Sequence, residues 1–163
     1  MSIITLPAKV FPNSCYTSMR SEPFLVARLE LPPGINQSYK IVKNRKIGCH
    51  YLAHSPEGKQ FLHDAALLLT QSRRNDVLIE AIRKSPEHVP LSVELKFFFL
   101  TWWRRDVDGG IKIALDAVFK YLQLDDRLVT DLPVRKLVDA EYPRLEVSVA
   151  VDLATLRTLN IIE

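Results

Sequence analysis

Val93-Glu-Leu-Lys-Phe-Phe-Phe-Leu100, continued through Trp102-Trp103 and Arg104-Arg105-Asp106-Val107-Asp108 into Gly109 to Leu122, is the stretch on which the fold turns. Its first half alternates apolar and polar residues and then becomes continuously apolar, which predicts a strand whose far end is covered on both faces. From Gly109 onward the period changes. Ile111, Ala114, Leu115, Val118, Phe119 and Leu122 fall on one helical face, with Lys112, Asp116 and Lys120 outside it. Asp108 is read as the cap of that helix. The segment therefore predicts a strand, a charged loop at its exit, and an amphipathic helix that packs back on the sheet.

The elements on either side extend the pattern. Upstream, Leu25 to Leu31 alternates as a strand until Pro32-Pro33-Gly34 stops it, and Tyr39 to Leu52 reads as a short basic ribbon turning at Asn44. Ser55-Pro56-Glu57 opens a helix: a serine cap, a proline in the first turn, and an acid at the positive end of the dipole. Phe61, Leu62, Ala65, Leu68 and Leu69 continue it at helical spacing, and a second helix spans Asp76 to Lys84 before Pro86 and Pro90. Downstream, Leu132 to Val138 and Leu145 to Val151 read as strands joined by a turn through Glu141 to Pro143. The sum is an α+β single domain, a small mixed β-sheet packed with helices, over residues 25–152. An irregular N-terminal arm (1–24) and a weakly helical C-terminal tail (153–163) flank it.

Bulk properties exclude several classes. A chain of 163 residues, 47% hydrophobic and 25% charged, buries roughly 70% of its unfolded surface without metal or disulfide staples, so global disorder is excluded. Cys15 and Cys49 lack CxxC spacing and the density of a secreted scaffold, which suits a reducing, cytoplasmic setting. No leader pattern opens the chain, and its longest apolar run is far short of a membrane span. The net charge of +3 is modest but unevenly spread: Lys40, Lys43, Arg45, Lys46 and Lys59 face only Glu57 across one segment. That cluster is a candidate phosphate-contact surface or simply a solvated hairpin.

The chemistry concentrates after the central strand. Asp106 and Asp108 are two residues apart, so on an extended segment both carboxylates leave the same side and reach one ion. Lys112 lies about one helical turn beyond Asp108, within reach of a phosphate oxygen, and Asp116 lies one further turn along. Asp125-Asp126 follows the helix, and it joins the first pair only if the fold returns that loop to the strand's exit. Carboxylates beside an arginine pair suit hard cations and a phosphate, the requirements of metal-assisted phosphodiester hydrolysis. Each residue also has an ordinary reading: Asp108 as a cap, Asp125-Asp126 as a solvated turn, Arg104-Arg105 as an exposed strand end. His50, His54, His63 and His88 have no metal-binding spacing, and glycine-rich phosphate loops, serine elbows and zinc motifs are absent from the sequence. Trp102 and Trp103 suit core, interface or base stacking, with core the commonest fate for such residues.

The run Arg104-Arg105-Asp106-Val107-Asp108, Lys112, Leu115-Asp116-Ala117 and Asp125-Asp126 resembles the RusA family of Holliday-junction resolvases. Leu31-Pro-Pro-Gly-Ile-Asn36-Gln-Ser-Tyr39 is similar to that family's proline-asparagine-tyrosine opening, and Ser55-Pro-Glu57-Gly58-Lys-Gln-Phe61 to the start of its first helix. The resemblance implies a homodimeric endonuclease that depends on Mg²⁺, with Mn²⁺ as a substitute, and nicks symmetric strands of a four-way DNA junction in recombination and repair. It assigns metal binding to Asp106, Asp108 and Asp126, and a phosphate or transition-state contact to Lys112. It makes Asn36 and Arg105 substrate contacts, with Asp116 and Asp125 accessory; the charge pattern adds Lys40, Lys43, Arg45, Lys46 and Arg104 as candidate substrate contacts. Where the family has asparagine after the second motif aspartate, this chain has Gly109-Gly110. Two other functions fit the same scaffold: a non-catalytic protein that binds branched DNA, and a general nuclease of flaps and branches.

Overall fold

The computed structural model describes residues 21–85, 88–103 and 105–153. Strands are β1 (Leu25–Leu29), β2 (Tyr39–Lys43), β3 (His50–His54), β4 (Arg73–Arg74), β5 (Leu91–Phe99), β6 (Val129–Asp131), β7 (Val134–Val138) and β8 (Arg144–Val151). Helices are α1 (Ile35–Ser38), α2 (Pro56–Thr70), α3 (Asp76–Lys84) and α4 (Ile111–Leu122). The expected α+β domain with a mixed sheet is what the chain forms.

The main sheet runs β4-β1-β8-β5-β6, and β7 also pairs with β5. β8 is antiparallel to both β1 and β5, whereas β6 and β7 run parallel to β5. Sequence reading expected one strand over Leu132 to Val138. Two short ones form instead, because Pro133 has no N–H to give a ladder; its carbonyl accepts from Leu95 N–H at 2.9 Å. The edge strand is thus broken between Asp131 and Val134.

α2 packs on α4 and on β1, and the core between them and the sheet includes Leu25, Leu69, Leu95, Phe97, Ile113, Val118, Leu122 and Leu145. β5 and β8 alternate in burial along most of their length; in β5 the continuously buried part is Leu91–Val93 and not the far end that the sequence expected to be covered on both faces, where Phe98 is half-buried and Leu100 exposed. The residues 21–24 of the expected arm lie along β8, with Phe24 buried and its N–H donated to Val149 O at 2.9 Å.

The helix starts follow their local chemistry. Ser55 Oγ accepts from Gly58 N–H at 2.9 Å as the α2 cap, and Asn75 Oδ1 caps α3 through Leu78 N–H at 3.1 Å. A side chain at Gly58 would collide with the Ser38 carbonyl, so glycine is what lets α1 sit against the first turn of α2. β2 and β3 form a two-stranded ribbon hydrogen-bonded to each other and not to the main sheet. Such a ribbon is marginal by itself. Its root is fixed by Ser55 N–H to Ser38 O (3.0 Å) and by the Ser55 hydroxyl donated to Gln37 O.

Candidate active site

β5 ends at Phe99, whose carbonyl accepts from Asp139 N–H at 2.9 Å, and the chain then leaves the sheet. Arg105 ties it down again: its carbonyl accepts from Lys136 Nζ at 2.6 Å, and its Nη1 donates to Pro32 O at 3.1 Å. Asp106 and Asp108 follow at the rim of a cleft of about 480 Å³, lined also by Asn36 and Gln37 of α1, Arg105, Phe97 and Phe99. The two tethers at Arg105 therefore hold the strand-exit loop to the Pro32–Gly34 corner on one side and to Lys136 of β7 on the other. Asn36, Arg105, Asp106 and Asp108 are brought together as the sequence led us to expect.

Asp108 is not a cap. It opens a 3₁₀ turn, Asp108–Gly110, and α4 begins after Gly110 with no side-chain cap. The tight turn is enabled by Gly110: a Cβ there would stand 2.7 Å from Pro32 Cγ and 3.2 Å from Phe97 Cε1. Gly109 faces open space by comparison, the nearest atom to a Cβ being 3.7 Å away. The carboxylates of Asp106 and Asp108 are both exposed, and neither is hydrogen-bonded or ion-paired to any described residue.

Lys112 Nζ pairs with Asp116 at 3.2 Å, and Asp116 also accepts from Tyr39 Oη at 2.6 Å. The lysine lies 5.7 Å from the Tyr39 ring centroid. Burial, then the bond to Asp116 and its charge, push the Tyr39 phenol well above the ordinary range. Tyr39 and Asp116 are 77 residues apart in sequence, so nothing local announces the pair. This arrangement holds Lys112 on the α4 flank that leads away from Asp108.

Asp125 and Asp126 line a different depression of about 610 Å³, with His54, Asp116 and Lys120. Asp125 is committed locally. Its carboxylate accepts from the Arg127 side chain and from Arg127 N–H at 2.9 Å, which together hold its pKa down to about 2 and cap the 3₁₀ turn Asp126–Leu128. Asp126 stands at the far end of α4 from Asp108. Twelve helical residues span about 18 Å. β5 gives an independent check: Val129 pairs with Leu91 at the strand's start, whereas Asp106 follows its end. Among the described residues, no three acidic, histidine or cysteine side chains are gathered to hold one metal ion.

The basic ribbon is fully displayed. Lys40, Lys43, Arg45 and Lys46 are all exposed, without an ion pair to a described residue. Arg104 lies outside the described residues. Sequence reasoning overlooked Gln37 as a wall of the cleft; it weighed His54 as a phosphate contact or an ordinary surface histidine, and the ring lies 5.0 Å from that of its cross-strand partner Tyr39. The one signal for His54 was its register opposite Tyr39 across the ribbon.

A small α+β domain that sets two uncommitted carboxylates and an arginine on a cleft beside a basic ribbon belongs with the enzymes that work on phosphate esters. Residues 36–150 match the model of the family described as endodeoxyribonuclease RusA, well over half of the chain, and the chain belongs to that family. No curated protein matches it. Membership makes it a nuclease of a family that acts on Holliday junctions, and so carries the expectation of a DNA phosphodiesterase at that level. No described helix is long and apolar enough to cross a membrane.

Proposed function

We propose that the protein is a cytoplasmic, divalent-metal-dependent endonuclease that resolves four-way DNA junctions in recombination and repair as a homodimer. The observation that carries this reading is the uncommitted carboxylate pair Asp106 and Asp108 in a cleft shared with Asn36 and Arg105. The donor set fits Mg²⁺, an ion usually held by one or two carboxylates with water and substrate phosphate completing six positions; Mn²⁺ takes the same ligands. The chemistry such an ion supplies is an acidified water and neutralised phosphate charge.

The chain's own residues do the rest. Asp106 and Asp108 hold the ion from one protomer. Asn36 and Arg105, which line the same cleft, contact the scissile phosphate, with the guanidinium offsetting charge that grows on its oxygens. Lys112 lends a second positive charge, kept in place by Asp116 until phosphate competes for it. Lys40, Lys43, Arg45 and Lys46 follow the backbone of an arm and give affinity without base readout.

Asp126 enters this scheme from the second protomer. A junction presents two scissile phosphates related by a two-fold axis, which calls for two sites related in the same way. Asp126 lines a depression with Asp116 and Lys120, apart from the cleft of Asp106 and Asp108, so a partner chain is the economical source of the third acid. Asp125, bound to Arg127, then orients the turn that presents Asp126.

The test is cleavage of a synthetic four-way junction in Mg²⁺. Asp108→Asn should bind the junction as wild type does and cut it at least a hundredfold more slowly. Equally undetectable cutting by both proteins at saturating metal would leave a binding-only protein. Equal rates on flaps, single strands and junctions would make it a general nuclease.

A further inference from the structure

The molecule's most exposed aromatic surface lies at the same end of the sheet as the acid pair. Trp103 is 95% exposed and Trp102 55%, with Leu100 and Tyr142 also open to solvent. The sequence favoured the core for the tryptophans. They lie outside because β5 stops at Phe99 and the chain turns away before reaching them. An indole left almost wholly in water forgoes the gain of burying its apolar area, and a cluster of such exposed apolar side chains marks an interaction surface.

The tip is braced on both sides. Phe99 O is held by Asp139 N–H, and Arg105 by Lys136 and Pro32. The neighbouring turn, which carries Tyr142, is closed by Asp139, whose carboxylate accepts from the N–H groups of Glu141 and Tyr142 and from Arg144 Nη1 at 2.6 Å. Arg144 also stacks 3.8 Å from the Phe98 ring centroid. Arg144 is neutralised by Asp139 and Glu146, whereas Arg105 and Lys136 donate only to carbonyls, so the aromatic faces lie near two cations that no carboxylate among the described residues offsets. Nucleobases next to phosphates have the complementary pattern.

We propose that Trp103, supported by Trp102, stacks on a base face laid open at the branch point, so that the protein distinguishes a junction from continuous duplex. This rests on the function proposed above. Trp103 and Asp106 are three residues apart, so their Cα atoms are within about 11 Å, about three nucleotide steps at 3.4 Å each. A stacked base would thus lie close to the phosphate being cut. Continuous duplex has no free base face near a cleavable phosphate; a four-way junction does.

Both tryptophans of the chain are here, so intrinsic fluorescence reports on this patch alone. The Asp108→Asn protein, which cannot cut, is titrated with a four-way junction and with linear duplex of the same arm sequence. Quenching by the junction and not by the duplex is expected. Trp103→Ala should lower the preference for junction over duplex about tenfold, and Trp103→Phe should restore much of it. At 95% exposure the substitution leaves the fold intact, which circular dichroism checks. Junction binding with unchanged fluorescence, or undiminished preference in Trp103→Ala, overturns this inference alone. Conversion of dimer to monomer by Trp103→Ala would give the patch to a second copy and overturn it too. A wild-type protein that binds no branched DNA overturns the proposed function as well.

Discussion

Mixing two inactive variants should regenerate activity. Asp108 and Asp126 lie at opposite ends of α4, whose twelve residues span about 18 Å, while an aspartate oxygen must come within about 2 Å of Mg²⁺. Within one chain the two lie in separate depressions, Asp126 with Asp116 and Lys120 and Asp108 with Asn36 and Arg105, along a helix whose face is packed into the core through Ile113, Val118 and Leu122. If Asp126 acts across the two-fold, an Asp108→Asn protomer paired with an Asp126→Asn protomer makes one site carrying both lesions and one site intact. Equimolar exchange yields about half mixed dimers, hence about a quarter of the wild-type number of working sites. Differently tagged proteins are co-refolded, mixed dimers are purified by both tags, and nicking of a four-way junction is followed in Mg²⁺. Single nicks should appear without the paired cuts that release two duplexes. Purified mixed dimers that remain as inert as either parent would refute the shared centre, because two sites each lacking one acid are what action within a single chain produces.

Other outcomes follow from particular contacts. Tyr39→Phe removes the 2.6 Å bond to Asp116 and should cost about 1–2 kcal/mol at neutral pH by chemical denaturation. Because the folded phenol has a raised pKa, its contribution is complete below the ordinary phenol value of about 10 and disappears as pH climbs through the folded one; the gap between wild type and Tyr39→Phe should therefore close in strong alkali. Asp125 is shifted the other way, to about 2, so the turn it caps is secure above the usual aspartate range and loosens as pH falls toward that value. In Arg127→Ala its pKa should rise by NMR but stay below the ordinary value, because the N–H of residue 127 still donates to it. Gly58→Ala should destabilise by about 1–3 kcal/mol through overpacking against Ser38, whereas Gly109→Asn, with room for its Cβ, should leave the melting temperature unchanged or higher. Neutralising Lys40, Lys43, Arg45 and Lys46 together should flatten the slope of log affinity against log salt by about three to four units if each meets one phosphate.

Features written in neighbouring residues were legible. Ser55-Pro56-Glu57 names a helix start because cap, proline and acid all act within one turn, and α3 occupies the expected Asp76–Lys84. The cleft residues Asp106 and Asp108 were visible from spacing alone. Asp108 as a cap misled because its local signal does not distinguish an α-helical start from the tighter turn that Gly110 permits against Pro32 and Phe97. β4 is two residues long and exists through pairing with β1, for which no local pattern exists. Tyr39 with Asp116, and the separation of Asp126 from Asp108, depend on how distant elements are stacked. The sequence permits the loop of Asp125-Asp126 to return to the strand's exit but does not require it.

The margins of the sheet limit how copies of this protein can meet. One side ends in two residues of β4, and the other is split where Pro133 interrupts it. Neither offers a long unbroken row of donors and acceptors to an approaching strand, which is the usual seed of fibrils. Association through the main sheet then comes from side chains meeting side chains, a contact that point substitutions can tune without touching the backbone.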